Sequence, residues 1–153
     1  PGHKGHIKNL YDNPDEVKNL VYVSRRLANG RRLINEEELL LSIVELGFHV
    51  YYLEEMSFSD QVRIFHQAQV VIGPHGGGFS NIIFCRPRTI VIDIQPPEWQ
   101  ITCFEEISSA FGLQYYKFLG VNMGWKSKVG NPKVVDIVVD VEKLKAKIHE
   151  VIG

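Results

Sequence analysis

The sequence predicts an α/β fold: a doubly wound, mostly parallel, Rossmann-like sheet with helices on both faces. Three observations carry that prediction. Short β-branched runs alternate along the chain with longer segments of helical periodicity. The runs are apolar at almost every position instead of every second one, so both faces of their sheet must be covered. The run at 70–72 also empties into Gly73-Pro74-His75-Gly76-Gly77-Gly78, a glycine loop between a strand and a short apolar segment. Composition permits one core, with 153 residues, 44% hydrophobic and 23% charged. A net charge of −1 excludes the basic face that nucleic acid requires. No apolar run reaches the ~20 residues that a membrane-spanning helix needs.

Taken in order, residues 1–19 are polar, broken by Gly2, Gly5 and Pro14, and read as a lead-in segment. Residues 20–153 are expected to form one Rossmann-like domain. The run 20–24 has strand length and a β-branched centre. Arg25-Arg26 and Arg31-Arg32 follow it, either as a solvated loop or as an anion clamp. Asn35 stands where an N-cap belongs, with Glu36, Glu37 and Glu38 in the first turn. Leu39, Leu40, Ile43, Val44 and Leu46 make the apolar face of that helix, and Gly47 ends it. A second strand is expected at 49–53. Ser57 and Asp60 form a capping pair ahead of a helix at 59–68. After the glycine loop come a strand at 89–94 stopped by Pro96-Pro97, a helix at 100–111 and a strand at 113–118. A long loop at 120–133, a last strand at 134–139 and an amphipathic helix at 142–152, its lysines outward, complete the chain. Cys85 and Cys103 lie in apolar segments without metal spacing and are expected as buried free thiols.

The chemistry concentrates at 69–81. A strand, a glycine loop and a helix start place unpartnered amides at the carboxyl end of a sheet, where the helix dipole favours anions. Glycines there let a ligand approach the backbone. A plain turn of a non-catalytic interaction domain is one alternative. An esterase oxyanion loop is another, but the required Gly-x-Ser-x-Gly elbow is missing, since Gly78-Phe79-Ser80-Asn81-Ile82 lacks its last glycine. A dinucleotide turn would use Gly76 and Gly78, with Asp93 as the ribose-binding acid, although Asn81 stands where the third glycine belongs. A phosphate loop is excluded because no Gly-Lys-Ser/Thr follows.

The ordered set Ser24-Arg25, Arg32, Asn35-Glu36, Gln61, Ala68, Gly73-x-His75-Gly76, Asn81 and Phe84 resembles glycosyltransferase family 61 across about half of the chain. That family includes bacterial capsule-polysaccharide transferases, plant xylosyltransferases, and protein O-linked N-acetylglucosaminyl- and mannose-extending transferases. One position departs from it: the family has alanine after His-Gly, where this chain has Gly77. The resemblance implies one lobe of a GT-B-like transferase, inverting transfer from a nucleotide-activated sugar, expected to be a UDP-sugar, and a glycan or protein hydroxyl as acceptor. It implies a missing N-terminal lobe and no cofactor or metal, in keeping with the lack of an Asp-x-Asp pair. His75 is the implied catalytic residue. Arg25, Arg32, Asn35, Glu36, Gln61, Gly76, Gly77, Gly78, Ser80 and Asn81 are the implied donor-binding set. From the residues alone, Asn35 and Glu36 could equally serve as helix-start residues, and Gln61 as a brace. Should the acceptor site and base lie within this chain, Asp93, Glu98 and the loop at 120–133 are the first places to look. The cysteine pattern favours a cytoplasmic protein, with the Golgi or ER lumen expected for a eukaryotic member.

Overall fold

Tyr22, Ile72 and Ile92 are fully buried side chains on three strands, and a sheet covered on both sides is the only setting that seals such runs. The computed structural model describes residues 19–124 and 135–153. Five strands, β1 (Leu20–Val23), β2 (Phe48–Tyr51), β3 (Val70–Pro74), β4 (Ile90–Gln95) and β5 (Gln114–Leu119), pair in parallel throughout. Their order is β2-β1-β3-β4-β5. The register sets Tyr22 beside Ile72, and Gly73 beside Asp93.

Two apolar layers cover the sheet. Leu39 and Ile43 of α1 (Glu36–Glu45) and Leu144, Ile148 and Val151 of α4 (Val141–Ile152) pack with Tyr22, Ile72 and Ile92. On the other face, Ile64 and Phe65 of α2 (Phe58–Gln67) and Phe104 of α3 (Cys103–Phe111) pack with Val21, Val71 and Val91. Alternate residues of each strand therefore serve opposite layers.

Helix ends follow the expected chemistry in part. Ser57 accepts a hydrogen bond from the Asp60 amide at the start of α2, and Asp140 does the same for Lys143 in α4. Gly47, at φ 96°, and Gly112, at φ 70°, take the left-handed conformation after α1 and α3. Asn35 precedes α1 as expected, yet its side chain makes no capping bond. It is drawn instead to Val139, donating to that residue's carbonyl at 2.8 Å and accepting from its amide at 3.1 Å.

Other expectations are corrected. Val44 is exposed on α1, because only Leu39 and Ile43 of its apolar residues lie squarely on the sheet. The expected strand at 134–139 is irregular over its described residues; a single parallel bridge joins Ile137 to Leu33. Most of the loop at 120–133, with Trp125, Gly130 and Pro132, lies outside the described residues. Cys85 is buried and its thiol is pushed up to about 12 by burial, whereas Cys103 is an exposed free thiol. Lys147 turns back over the Tyr116 ring at 4.8 Å while Lys143 points outward.

The segment after the glycine loop, expected as a helix start, is a 3-10 helix from Gly77 to Phe84. Phe79, Ile82 and Cys85 recur every three residues and all are buried. A three-residue turn stacks them on one face, which a 3.6-residue turn would not.

Candidate active site

In the order β2-β1-β3-β4-β5 the chain moves outward one way from β1 and the other way from β3. The carboxyl ends of those two neighbours therefore flank the crevice where open α/β sheets bind ligands. Ser24 and Arg25 leave β1 there, and the glycine loop leaves β3. A cavity of about 350 Å³ opens between them, with Arg25, Glu54, Gln61, Gly77, Gly78 and Asn81 in its wall.

Close packing dictates the glycines. A Cβ on Gly73 would meet the Val23 carbonyl oxygen of the neighbouring strand. On Gly78 it would come within 2.8 Å of Leu53. On Gly76 it would land on the Arg25 guanidinium, so that side chain lies flat against the loop backbone. Gly77 has nothing within 4 Å of such an atom and is exposed. Arg25 is held by the Gly30 carbonyl, to which its Nη2 donates at 3.0 Å. Ser80 is exposed on the 3-10 helix. Asn81 donates to Gln61 Oε1 at 2.9 Å, and Gln61 Nε2 donates to the Leu53 carbonyl at 2.9 Å. Gln61 thus braces the wall of the cavity from behind.

Arg32, Asn35 and Glu36 are not brought into this cavity. They line a separate groove of about 570 Å³ beside α1. Arg32 is largely exposed and pairs with Asp136 at 3.3 Å. Glu36 is buried and accepts hydrogen bonds from the Tyr22 and Ser24 hydroxyls, both at 2.8 Å. Burial, reinforced by Glu36, holds the Tyr22 phenol well above its ordinary range. These residues shape the exit of β1 from outside the crevice.

Arg31, next to Arg32 in the chain, lies elsewhere. At φ 50° its backbone is left-handed, and its guanidinium lies 5.3 Å from the centre of the Trp99 ring. Its Nε is buried without a hydrogen-bond partner among the described residues. Arg25 and Arg31 feel each other: burial first, then the neighbouring Arg31 charge, lowers Arg25 from the ordinary arginine range. Burial likewise lowers Arg31, against the pull of Asp93. Neither forms a salt bridge among the described residues. Two partly buried, mutually repelling cations, one of them against a glycine loop, are an electrostatic arrangement that an anion would relieve.

His75 is buried, and its Nδ1 lies 2.9 Å from Asp93 Oδ2. Asp93 is completely buried and also accepts from the Tyr115 hydroxyl at 2.6 Å and from Gln95 Nε2 at 2.7 Å. A ribose-binding role for Asp93 is thereby corrected, since its oxygens are already engaged inside the sheet. Burial and the Asp93 hydrogen bond raise the Tyr115 phenol well above its ordinary value. Glu98, the other acidic residue considered, is buried and accepts from the Met123 amide at 2.9 Å.

Residues 4–92, more than half of the chain, match the family described as Glycosyltransferase 61. The chain is 34% identical over 122 residues to a beta-1,2-xylosyltransferase of Arabidopsis thaliana, covering 65% of this chain and 23% of that protein. It is 25% identical over 144 residues to the EGF domain-specific O-linked N-acetylglucosamine transferase of Gallus gallus, covering 86% of this chain and 27% of the relative. The mouse protein of that name is 26% identical over the same length. The chain thus spans about a quarter of the length of these curated relatives. No helix among the described residues is long and apolar enough to cross a membrane.

Proposed function

The chain belongs to glycosyltransferase family 61, and from that premise we propose that residues 20–153 form the donor-binding lobe of an inverting transferase that uses a UDP-sugar. The observation that carries this reading is Arg25, which lies against the glycine loop at the carboxyl ends of β1 and β3, with the Arg31 charge near it and no carboxylate paired with either among the described residues. A sugar nucleotide presents a diphosphate, and guanidinium forks are suited to its oxygens. Gly76, Gly77 and Gly78 line the same cavity on the loop that leaves β3. Gln61 and Asn81 keep that loop in place.

In the proposed reaction the acceptor hydroxyl oxygen attacks the anomeric carbon from the side opposite the diphosphate. The bond from that carbon to the phosphate oxygen breaks, and its electron pair leaves on UDP. Charge therefore grows on the diphosphate as the bond breaks. Cations already held in place stabilise that charge without reorganising. The acceptor, a glycan or protein hydroxyl, approaches from the open side of the crevice, where a second lobe would supply the missing wall.

Arg32, Asn35 and Glu36 act in this proposal from behind. Glu36 and Asn35 fix the path of the chain from β1 to α1, and so place Arg25 and Arg31. Titration calorimetry with UDP tests the reading. Arg25→Ala should weaken binding by about 1.5–3 kcal/mol, the worth of a charge-assisted hydrogen bond, or roughly ten- to more than a hundredfold. Equal affinities for mutant and wild type would remove Arg25 from the site. Absence of UDP binding by the wild type would remove the reading.

A further inference from the structure

Among the described residues that line the crevice, Arg25 is the basic one and Glu54 the acidic one. Glu54 sits in a 3-10 turn, Leu53–Glu55, that follows β2. The backbone is anchored on both sides of it: Gln61 Nε2 donates to the Leu53 carbonyl at 2.9 Å and to the Met56 carbonyl at 3.3 Å. Leu53 is itself buried, close against Gly78 of the glycine loop. The Glu54 residue is exposed, and its carboxylate has no hydrogen bond or ion pair among the described residues. The buried acids Glu36, Asp93 and Glu98 are, by contrast, all engaged by donors. Arg25 does not pair with Glu54 either. Its Nε and Nη2 donate to the Gly30 carbonyl at 3.3 and 3.0 Å, and its Nη1 lies over Gly76, so the guanidinium is turned to the loop. The two charges still act on each other: burial and then Arg31 lower Arg25 from the ordinary arginine range, and Glu54 opposes both.

We propose that Glu54 is a specificity-determining residue of the crevice, its two carboxylate oxygens accepting hydrogen bonds from neighbouring hydroxyls on a sugar ring of the bound nucleotide-sugar. The proposal rests on the transferase reading and deepens it. Arg25 and the glycine loop suit the charged part of such a ligand, whereas an ionised carboxylate repels phosphate oxygens and accepts from O–H groups. The wall that carries Glu54 therefore belongs to a neutral, hydroxyl-bearing part of the same molecule. Strand order separates the two walls: β1, with Arg25, stands between β2, which leads to Glu54, and β3, which leads to the loop. A pair of adjacent hydroxyls offers two donors to the two oxygens, the chemistry by which an acidic residue past a neighbouring strand holds ribose in dinucleotide folds. Two rings of a UDP-sugar carry such a pair, the ribose on one side of the diphosphate and the transferred sugar on the other.

Titration calorimetry on the whole chain tests the proposal with three probes: UDP, 2′-deoxy-UDP and UDP-xylose, a small sugar nucleotide with free ring hydroxyls. Glu54→Gln is compared with the wild type and with Glu55→Gln, which removes the same charge one residue on, outside the lining of the crevice. Both residues are exposed, so neither substitution opens the core. Removing a negative charge near Arg25 relieves repulsion of the diphosphate, so a carboxylate without a ligand would leave affinity unchanged or raise it. The expected result has the opposite sign, a fall of about tenfold in Glu54→Gln, the worth of a charge-assisted hydrogen bond. A fall for UDP that shrinks with 2′-deoxy-UDP supports the proposal and assigns the hydroxyls to the ribose. An unchanged affinity for UDP with a fall for UDP-xylose supports it and assigns them to the transferred sugar. No fall with any probe, equal falls for UDP and 2′-deoxy-UDP, or the same falls in Glu55→Gln overturn it. The two ideas fail separately: UDP binding that ignores Glu54→Gln with every probe sinks only the hydroxyl contact, whereas no UDP binding by the wild type sinks the transferase reading.

Discussion

At the residue scale, contacts of side chain on backbone decide more than charges do. Gly76 has extended backbone, φ 177°, which any residue adopts; what demands glycine there is the Arg25 guanidinium lying on it. Gly76→Ala must therefore push Arg25 out of the crevice. Its UDP affinity should fall about as far as that of Arg25→Ala, while urea unfolding shows a native-like fold. Wild-type affinity in Gly76→Ala would mean that Arg25 does not bind the diphosphate. Gly77→Ala is the control for the fold: its Cβ meets open space, so its melting temperature should not drop. The sequence identified Arg25 and the glycines, because a strand end followed by small residues is local chemistry. It named Arg32; the structure pairs Arg32 with Asp136 and sets Arg31, in a left-handed turn that local chemistry does not announce, against the Trp99 ring. The engagement of Asp93 did leave a signal. A carboxylate in an otherwise apolar strand must find polar partners, and His75, Gln95 and Tyr115 are those partners.

At the scale of elements, a single side chain joins parts of the chain 104 residues apart. Asn35 clasps both the amide and the carbonyl of Val139, fastening the start of α1 to the segment that leads into α4. Asn35→Ala should lower stability by about 1–3 kcal/mol, the cost of leaving partly buried backbone groups unpaired. Asn35→Asp, a good N-cap but unable to donate to the Val139 carbonyl, should not restore it. Urea midpoints decide the matter, and full rescue by aspartate would show that helix capping is the operative role. Capping was the role legible in the sequence; the clasp was not, since its partner is far along the chain. The nearby Arg32–Asp136 pair is largely exposed and adds about 0–1 kcal/mol at most. The 3-10 helix was open to a closer reading, because Phe79, Ile82 and Cys85 already display its period of three. The expected strand at 134–139 failed because an apolar alternating run also suits a single chain laid over α1 and α4, where Val139 and Ile137 are buried without a ladder.

At the scale of the whole molecule, function follows from strand order. Parallel pairing was legible in the uniformly apolar strands, yet nothing local specifies that β1 and β3 are neighbours; the covering of both faces decides that. That adjacency brings Arg25 and the glycine loop to one crevice and leaves Arg32 and Glu36 in the groove beside α1. The measurement that tests this most directly is amide chemical-shift mapping of the isotope-labelled chain on addition of UDP. The proposed site predicts the largest shifts at Gly76, Gly77, Gly78 and Phe79 and at the Arg25 and Arg31 side chains, with Arg32, Asn35 and Glu36 nearly still. Shifts centred on the groove of Arg32 and Asn35, or none at millimolar UDP, would contradict it.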